Sequence, residues 1–406
     1  MGLSDTSEGS RSVNLVDCTL REGEQTAGVW FSIEEKLALV DLLAVAGLPL
    51  LDAGMPAVSD DERSFLRQAT GRTSAKIGAS VRARVEECQL AIDTGCDEVF
   101  VICPVSDLHM RERLGLDKAG LLRRIEAVVG TVARSGRICN VVAEDSSRAD
   151  DATLLEALNV AMNAGAGRLF LCDTVGGWTP GAAGMATRLI VENFPNVPVG
   201  IHCHDDYGMA TANTVAAIEA GCDWPTATVN GVGERAGNAS LAEVAAASDR
   251  LLGCPTGFDY ERAIEVSRLV ERLTGFVVPQ HQPLVGFNAF RHESGIHVDG
   301  LLKQAETYQS VDPAMMGRTH AFVVGKHSGR ALLRRFARDH GWPDDEAVVA
   351  DVLDIIKSRR PDWARESFAR VRQAIDRYND TCLGIPEARL EALFEEVSVK
   401  VRRSNQ

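Results

Sequence analysis

The segment Val199-Gly200-Ile201-His202-Cys203-His204 sets two imidazoles on either side of one residue. Its apolar start predicts a short strand over 199–202, with His204 just beyond. Alternate residues of an extended chain point the same way, so both rings face one side. Two imidazoles at a strand end suit a divalent cation; a pair of polar loop histidines is the plain alternative. A carboxylate on the same face would make three ligands with open positions, the pattern of a catalytic metal site. Glu22, within Asp17-Cys18-Thr19-Leu20-Arg21-Glu22-Gly23-Glu24-Gln25, is the candidate. Arg21 beside it could hold a substrate carbonyl and stabilise the negative charge that develops on its oxygen. Asp17 is read as the group that orients Arg21 by a two-point contact, or else as a plain strand-end carboxylate. Gly23 permits close backbone approach.

Two further segments carry polar groups. Asp173-Thr174-Val175-Gly176-Gly177 offers a hydroxyl and backbone amides to a carboxylate, or simply makes a turn. The run 230–238, NGVGERAGN, has the glycines of an anion-binding loop, although that pattern is weak on its own. His281, His292, His297, His320 and His327 follow Gln280 with no metal-ligand spacing.

The elements that must position these groups alternate. Short apolar runs at 13–17, 49–53, 75–79, 98–102, 138–143, 168–172, 199–202 and 226–230 predict strands. Helical patterns at 33–46, 82–94, 118–135, 152–164, 181–193, 209–220 and 241–252, with a weaker one at 60–69, lie between them. This is the signature of parallel βα units, and eight of them indicate an α/β chain folded as a closed (β/α)8 TIM barrel, with a doubly wound sheet as the alternative. Arg21-Glu22, Glu144-Asp145, Asp173-Thr174, His202/His204 and Asn230 all fall at or just after strand ends, the active face of such a barrel. The expected organisation is a flexible N-terminus (1–12), a barrel (13–257) and helical C-terminal subdomains (258–406). In the last, helices are expected at 260–274, 329–339, 344–357, 362–378 and 386–399, with a loop-rich stretch at 280–329.

The bulk properties agree. The chain has 406 residues, 45% of them hydrophobic and 25% charged, with a net charge of -14. An acidic chain lacks the broad basic face that nucleic acid requires. No secretory h-region or membrane-length apolar run is present. The ten cysteines are scattered without a C-x-x-C pair, which suits buried free thiols in a reducing cytoplasm.

Four motifs in order, DCTLREGEQ, HCHDDYGMATANT, NGVGERAGN and FRHESGIHVDGLL, resemble those of homocitrate synthases, whose wider group includes 2-isopropylmalate synthases and HMG-CoA lyases. The match runs from about Val13 to Gly329. It implies a barrel followed by helical subdomains, condensing acetyl-CoA with a dianionic 2-oxo acid. It implies Glu22, His202 and His204 as ligands of a divalent metal (Zn, Mn, Co or Mg), with Asn238 close by, and Arg21 as the group that polarises the 2-oxo group. His297, in SGIH, is the implied acid–base residue at the acetyl-CoA methyl. In the family it comes from the neighbouring protomer, so an intertwined homodimer is implied. Glu144 is placed among the catalytic residues; Gln25 and Thr174, with Tyr308 of ETY, are placed at the substrate.

Two positions depart from the pattern. Homocitrate synthases of lysine biosynthesis carry, four residues before the equivalent of Glu144, an Arg that holds the distal carboxylate of 2-oxoglutarate; here Asn140 stands there. The usual Glu of the second-strand motif is Asp52, within LDAGMPA. Both are read as substrate-binding positions that open alternatives to 2-oxoglutarate: oxaloacetate, or 3-phosphonopyruvate, since phosphonomethylmalate synthases resemble homocitrate synthases in these motifs. A carbon–carbon lyase and an inactive binding protein are the competing classes. The domain that resembles the leucine-feedback module of isopropylmalate synthases is not expected.

Overall fold

Two glycines and two phenylalanines determine how the interior of the barrel fills. A Cβ on Gly78 would come within 2.4 Å of the Phe100 ring, and one on Gly200 within 2.2 Å of the Phe170 ring. The missing side chains make the space in which the two rings meet edge to face, 5.5 Å apart, a favoured aromatic geometry. Val16, Cys18 and Leu50 pack against them.

The structure, a computed structural model, describes residues 11–358, 363–382, 384–385 and 387–404. Of the expected flexible N-terminus, 1–10 lie outside the described residues, as do 362 and 386 of the last two expected helices. The strands are β1 (Val16–Asp17), β2 (Leu50–Gly54), β3 (Lys76–Arg82), β4 (Glu98–Pro104), β5 (Ile138–Glu144), β6 (Arg168–Asp173), β7 (Val199–Cys203) and β8 (Trp224–Ala227). They close in sequential order, β8 pairing with β1, and every pair is parallel. This is the (β/α)8 TIM barrel. Helices α1 (Ile33–Val45), α2 (Asp60–Ala69), α3 (Val85–Thr94), α4 (Lys118–Arg134), α5 (Asp151–Asn163), α6 (Pro180–Asn193), α7 (Ala210–Glu219) and α8 (Leu241–Leu251) alternate with the strands. Local chemistry starts many of them: Ser32 and Glu35 form a capping box on α1, and Ser59, Asp117, Asp150 and Thr179 cap α2, α4, α5 and α6.

Several boundaries shift by a few residues from those expected, and two of the shifts are informative. β3 continues to Arg82, which the sequence pattern assigned to the next helix. β8 ends at Ala227 and does not reach 230, because Asn230 is left-handed (φ 57°) inside a short 3-10 turn. Its side chain donates to the Ser267 carbonyl (2.9 Å) and accepts from the Ser267 hydroxyl (2.6 Å). Asn230 therefore ties the last barrel loop to α9 (Tyr260–Thr274).

A polar layer lies at the amino ends of the strands. Arg168, the first residue of β6, donates to Glu98 (2.5 Å) and to Asn140 (3.0 Å). Its guanidinium lies 3.8 Å from the centroid of the Trp224 ring. Asn140 in turn donates to Glu98 (2.9 Å) and is fully buried. The expectation that Asn140 contacts substrate is corrected by this placement. Residue 140 is four before Glu144 on the same strand, roughly 13 Å away at strand rise. Both its amide oxygen and its amide nitrogen are spent on Glu98 and Arg168.

The chain divides into two units, Met1–Val277 and Val278–Gln406. The first contains the barrel and α9. In the second, β9 (Arg291–His292) pairs in parallel with β10 (Ala321–Phe322), and α10 (Gly295–Lys303) occupies what was expected to be loop. Helices α11 (Arg330–Asp339) and α12 (Glu346–Ser358) pack through Leu333, Val349, Leu353 and Ile356; α13 (Trp363–Cys382) and α14 (Glu387–Ser404) follow. No helix of the described residues is long and apolar enough to cross a membrane.

Because the Phe170 ring occupies the space above residue 200, Gly200→Ala is expected to destabilise the protein by about 1–3 kcal/mol, read by urea unfolding. Gly181→Ala, in helix α6 with open space around its Cβ position, should leave stability unchanged or slightly raised. Equal behaviour of the two variants would refute the packing account.

Candidate active site

The carboxyl ends of the strands bring the expected ligands together. Glu22 follows β1, His202 lies in β7 and His204 immediately follows it. One donor atom of each lies within 4.8 Å of the others. Glu22 stands 4.0 Å from His202 Nε2 and 3.8 Å from His204 Nε2, and the two rings meet edge to face at 5.1 Å. All three residues are buried. Although the strand ends at Cys203, His204 stays extended through an antiparallel bridge to Asn238, so the two rings share a side.

Asn238 is held by the glycines before it. The Asn238 amide donates to the Gly231 carbonyl (2.9 Å). Gly237 has φ +91°, and a Cβ there would lie 2.0 Å from the same carbonyl; one on Gly233 would lie 1.9 Å from the Asn238 side chain. The run 230–238 is thus a backbone clamp that presses Asn238 toward the histidines.

Three observations test whether these residues fit a divalent cation. His202 Nδ1 is paired with the Thr226 hydroxyl at 2.8 Å, which turns Nε2 toward Glu22; this is the second partner that a metal-binding histidine uses to fix its ring. His204 Nδ1 and Asn238 Oδ1 are buried without a hydrogen-bond partner. Finally, one guanidinium faces two buried carboxylates, an excess of acidic groups in a buried site. The site fits a dication.

The guanidinium is that of Arg21. It donates from Nε to Asp52 Oδ2 (2.7 Å) and from Nη1 to Glu22. Asp52 also accepts from the Ser80 hydroxyl (2.8 Å). The expected orienting role of Asp17 is therefore corrected. Asp17 accepts from the Thr19 amide (2.9 Å) and hydroxyl (2.8 Å), a turn within its own loop, and Asp52 on the neighbouring strand orients Arg21.

Electrostatics follow from burial. Burial pushes Asp17 up to about 7, the Thr19 hydrogen bonds opposing it. Asp52 is also raised by burial, against the pull of Arg21. Burial would raise Glu22, but Arg21 and the two histidines outweigh it, and its carboxyl stays below the ordinary range. Burial, then the neighbouring His204, lowers His202 to about 3, so it is a neutral imidazole at physiological pH, the state a metal ligand requires.

Toward β5 and β6, Glu144 accepts from Arg113 Nη1 at 2.5 Å, and its Oε2 is buried without a partner. Thr174 accepts from the Asp145 amide (2.8 Å) and lies 3.3 Å from the Cys172 thiol. That thiol, pushed up to about 12 by burial, lies within the fields of Glu144, Glu22 and Arg21 alike. Asp173 accepts from the amides of Gly177 (2.8 Å) and Trp178 (2.9 Å), so it serves its turn. On the other flank Gln25 donates to the Met55 sulfur (3.5 Å). Beside Gln25 and Arg21 opens a cleft of about 660 Å³ walled by Trp30, Met55, Val58 and Phe65. His297 and Tyr308, in the second unit, stack at 4.2 Å.

Ser80, Thr226 and Arg113 were missed in the sequence reading. Each acts through a neighbouring strand or loop, and none lies in a motif.

Comparison with known proteins identifies the chain. The family model HMGL-like matches residues 12–270, and Homocitrate synthase post-HMGL domain-like matches 284–361. The chain belongs to the HMGL-like family. It is 39% identical over 347 residues to a homocitrate synthase of Methanopyrus kandleri, covering 85% of this chain and 87% of that protein. A probable 2-isopropylmalate synthase of Ignicoccus hospitalis is 37% identical over 371 residues, covering 90% and 92%. A putative (R)-citramalate synthase of Methanopyrus kandleri is 39% identical over 347 residues, covering 85% and 68%. Among solved structures, an HMG-CoA lyase from Acinetobacter baumannii, in complex with coenzyme A and 3-methylmalate, superposes with a TM-score of 0.60 at 17% identity, over 68% of this chain and 95% of that one. This is a likeness of fold.

Removing the Thr226 hydroxyl frees the His202 ring. Thr226→Val is expected to weaken binding of Zn or Mn by about 10–100-fold, measured by titration calorimetry on the folded apo-protein. Affinity equal to that of the unaltered protein would sink the assignment of Thr226.

Proposed function

We infer that this chain is an acyltransferase of the homocitrate synthase type, which condenses acetyl-CoA with a dianionic 2-oxo acid and releases CoA. The observation that carries the reading is the buried Glu22–His202–His204 cluster with the Arg21 guanidinium against it, at the carboxyl end of an HMGL-like barrel. The names of the relatives, homocitrate, 2-isopropylmalate and citramalate synthases, support a synthase. The match of the second unit to a homocitrate synthase post-HMGL domain weighs against a lyase.

A divalent cation held by Glu22, His202 and His204, with Asn238 beside it, would supply Lewis-acid polarisation of the 2-oxo group. Arg21, oriented by Asp52, donates to the oxygen on which charge accumulates as the ketone carbon is attacked. His297, stacked on Tyr308 and supplied by a second protomer of a homodimer, takes a proton from the acetyl methyl. The carbon so released forms the new bond to the 2-oxo carbon, whose oxygen takes up a proton as a hydroxyl. Water then cleaves the thioester and CoA leaves as the thiol. Glu144 works beside the bound 2-oxo acid, while Gln25, Thr174 and Asp52 line its site.

2-Oxoglutarate is the first candidate substrate and oxaloacetate the next. 3-Phosphonopyruvate rests on motif resemblance alone, since none of the three relatives is named for a phosphonate. The enzyme is proposed to work in the cytoplasm, where acetyl-CoA and reduced thiols are both supplied.

Free-thiol release with acetyl-CoA and a panel of 2-oxo acids tests the reading. Arg21→Gln should lower kcat by about 10²–10³-fold, as loss of one oxyanion donor does, and chelation should abolish a turnover that added Mn or Zn restores. If no 2-oxo acid elicits thiol release from the metal-loaded protein, the transferase reading is wrong.

A further inference from the structure

The distal group of a dianionic 2-oxo acid needs a cation, and residue 140 does not supply one. The cations at the mouth of the barrel are not equally available. Arg21 is shared by Asp52 and Glu22. Arg235 makes a two-point contact with Asp206, both distances 2.8 Å, and a third bond to the Thr174 carbonyl (2.9 Å). Arg148 is held by Asp145 (2.8 Å) and lies against His109 (3.4 Å). Arg111 pairs with Asp107 at 3.2 Å.

Arg113 differs. It is carried by a single π-helical turn, His109–Arg113, in the loop after β4. Among the described residues its hydrogen-bond and ion-pair partner is Glu144 alone, engaged through Nη1, and its side chain is 43% exposed. A guanidinium has five N–H donors in a rigid fork. One edge is fixed by Glu144, and the other donors of the fork meet no partner among the described residues. Glu144 closes β5 at the carboxyl end of the barrel, the same end at which Arg21 follows β1, so Arg113 and Arg21 are both delivered at that mouth.

We propose that Arg113 is the specificity-determining cation of this enzyme, binding the distal carboxylate of a dianionic 2-oxo acid whose 2-oxo end lies at Arg21. The cation that the resemblance expects on β5 is delivered from the loop after β4, to the same carboxylate. Glu144 holds the fork in place before substrate arrives, so little side-chain freedom is lost on binding. The proposal rests on the reading of the protein as a 2-oxo acid acyltransferase.

The test compares kcat/KM for 2-oxoglutarate and oxaloacetate with that for pyruvate and 2-oxobutanoate, in the unaltered enzyme, R113Q and R113K, with saturating acetyl-CoA and metal. The ratio of dianionic to monoanionic substrates should fall on the order of 10²-fold in R113Q, and R113K should recover part of it. An equal fall for both classes would mean that Arg113 acts only by positioning Glu144, and would overturn the proposal. So would an unaltered enzyme that prefers monoanionic acids, an outcome that leaves the condensation itself standing. Calorimetric binding of 2-oxoglutarate without acetyl-CoA decides the same point where turnover is absent. A Kd weakened at least ten-fold in R113Q supports the assignment, and an unchanged Kd, or no binding to the unaltered protein, refutes it.

Discussion

One buried guanidinium shared by two carboxylates organises the active end of this barrel. Arg21 cannot leave Asp52 and Glu22 without stranding buried carboxylates, at a cost of several kcal/mol. The arrangement holds Glu22 beside the histidines and Arg21 beside Glu22. Its cost is an excess of negative charge, and that excess makes the site receptive to a dication. Ser80 on β3 and Thr226 on β8 extend the same constraint. The first bonds Asp52 and the second bonds His202, so β1, β2, β3, β7 and β8 are locked together by side chains converging on one point.

The second constraint is spatial. The paired rings of Phe100 and Phe170, admitted by Gly78 and Gly200, form an apolar layer with Val16, Cys18 and Leu50. Above them lie Asp52, Cys172 and His202; below them lie Glu98, Asn140, Arg168 and Trp224. Each polar group is satisfied on its own side of an apolar layer, as buried polar networks must be.

What the sequence disclosed and what it withheld follow from this geometry. The alternation of βα units made the barrel legible. Strand periodicity put His202 and His204 on one face, and Glu22 was found because it lies at a strand end. Periodicity reports the face of a residue but says nothing of its depth. Asn140 shares the facing of Glu144 yet sits beneath the aromatic layer, so its expected contact with substrate was misplaced by height. Asp17 was paired with Arg21 because the two are close in sequence. The actual partner, Asp52, is set by the β1–β2 register, which no single strand encodes. The short pair β9 and β10 went unseen because two-residue strands carry no period.

The aromatic layer has a bearing on how such a barrel tolerates change over evolutionary time. Among the described residues no hydrogen bond joins Glu98, Asn140 or Arg168 to Arg21, Asp52 or His202, so a change in the lower group bears on stability while a change at the mouth bears on the choice of substrate. A scaffold divided in this way can acquire new substrates without renegotiating its foundations. Proteins of nearly equal similarity to this chain bear the names of three different condensation products.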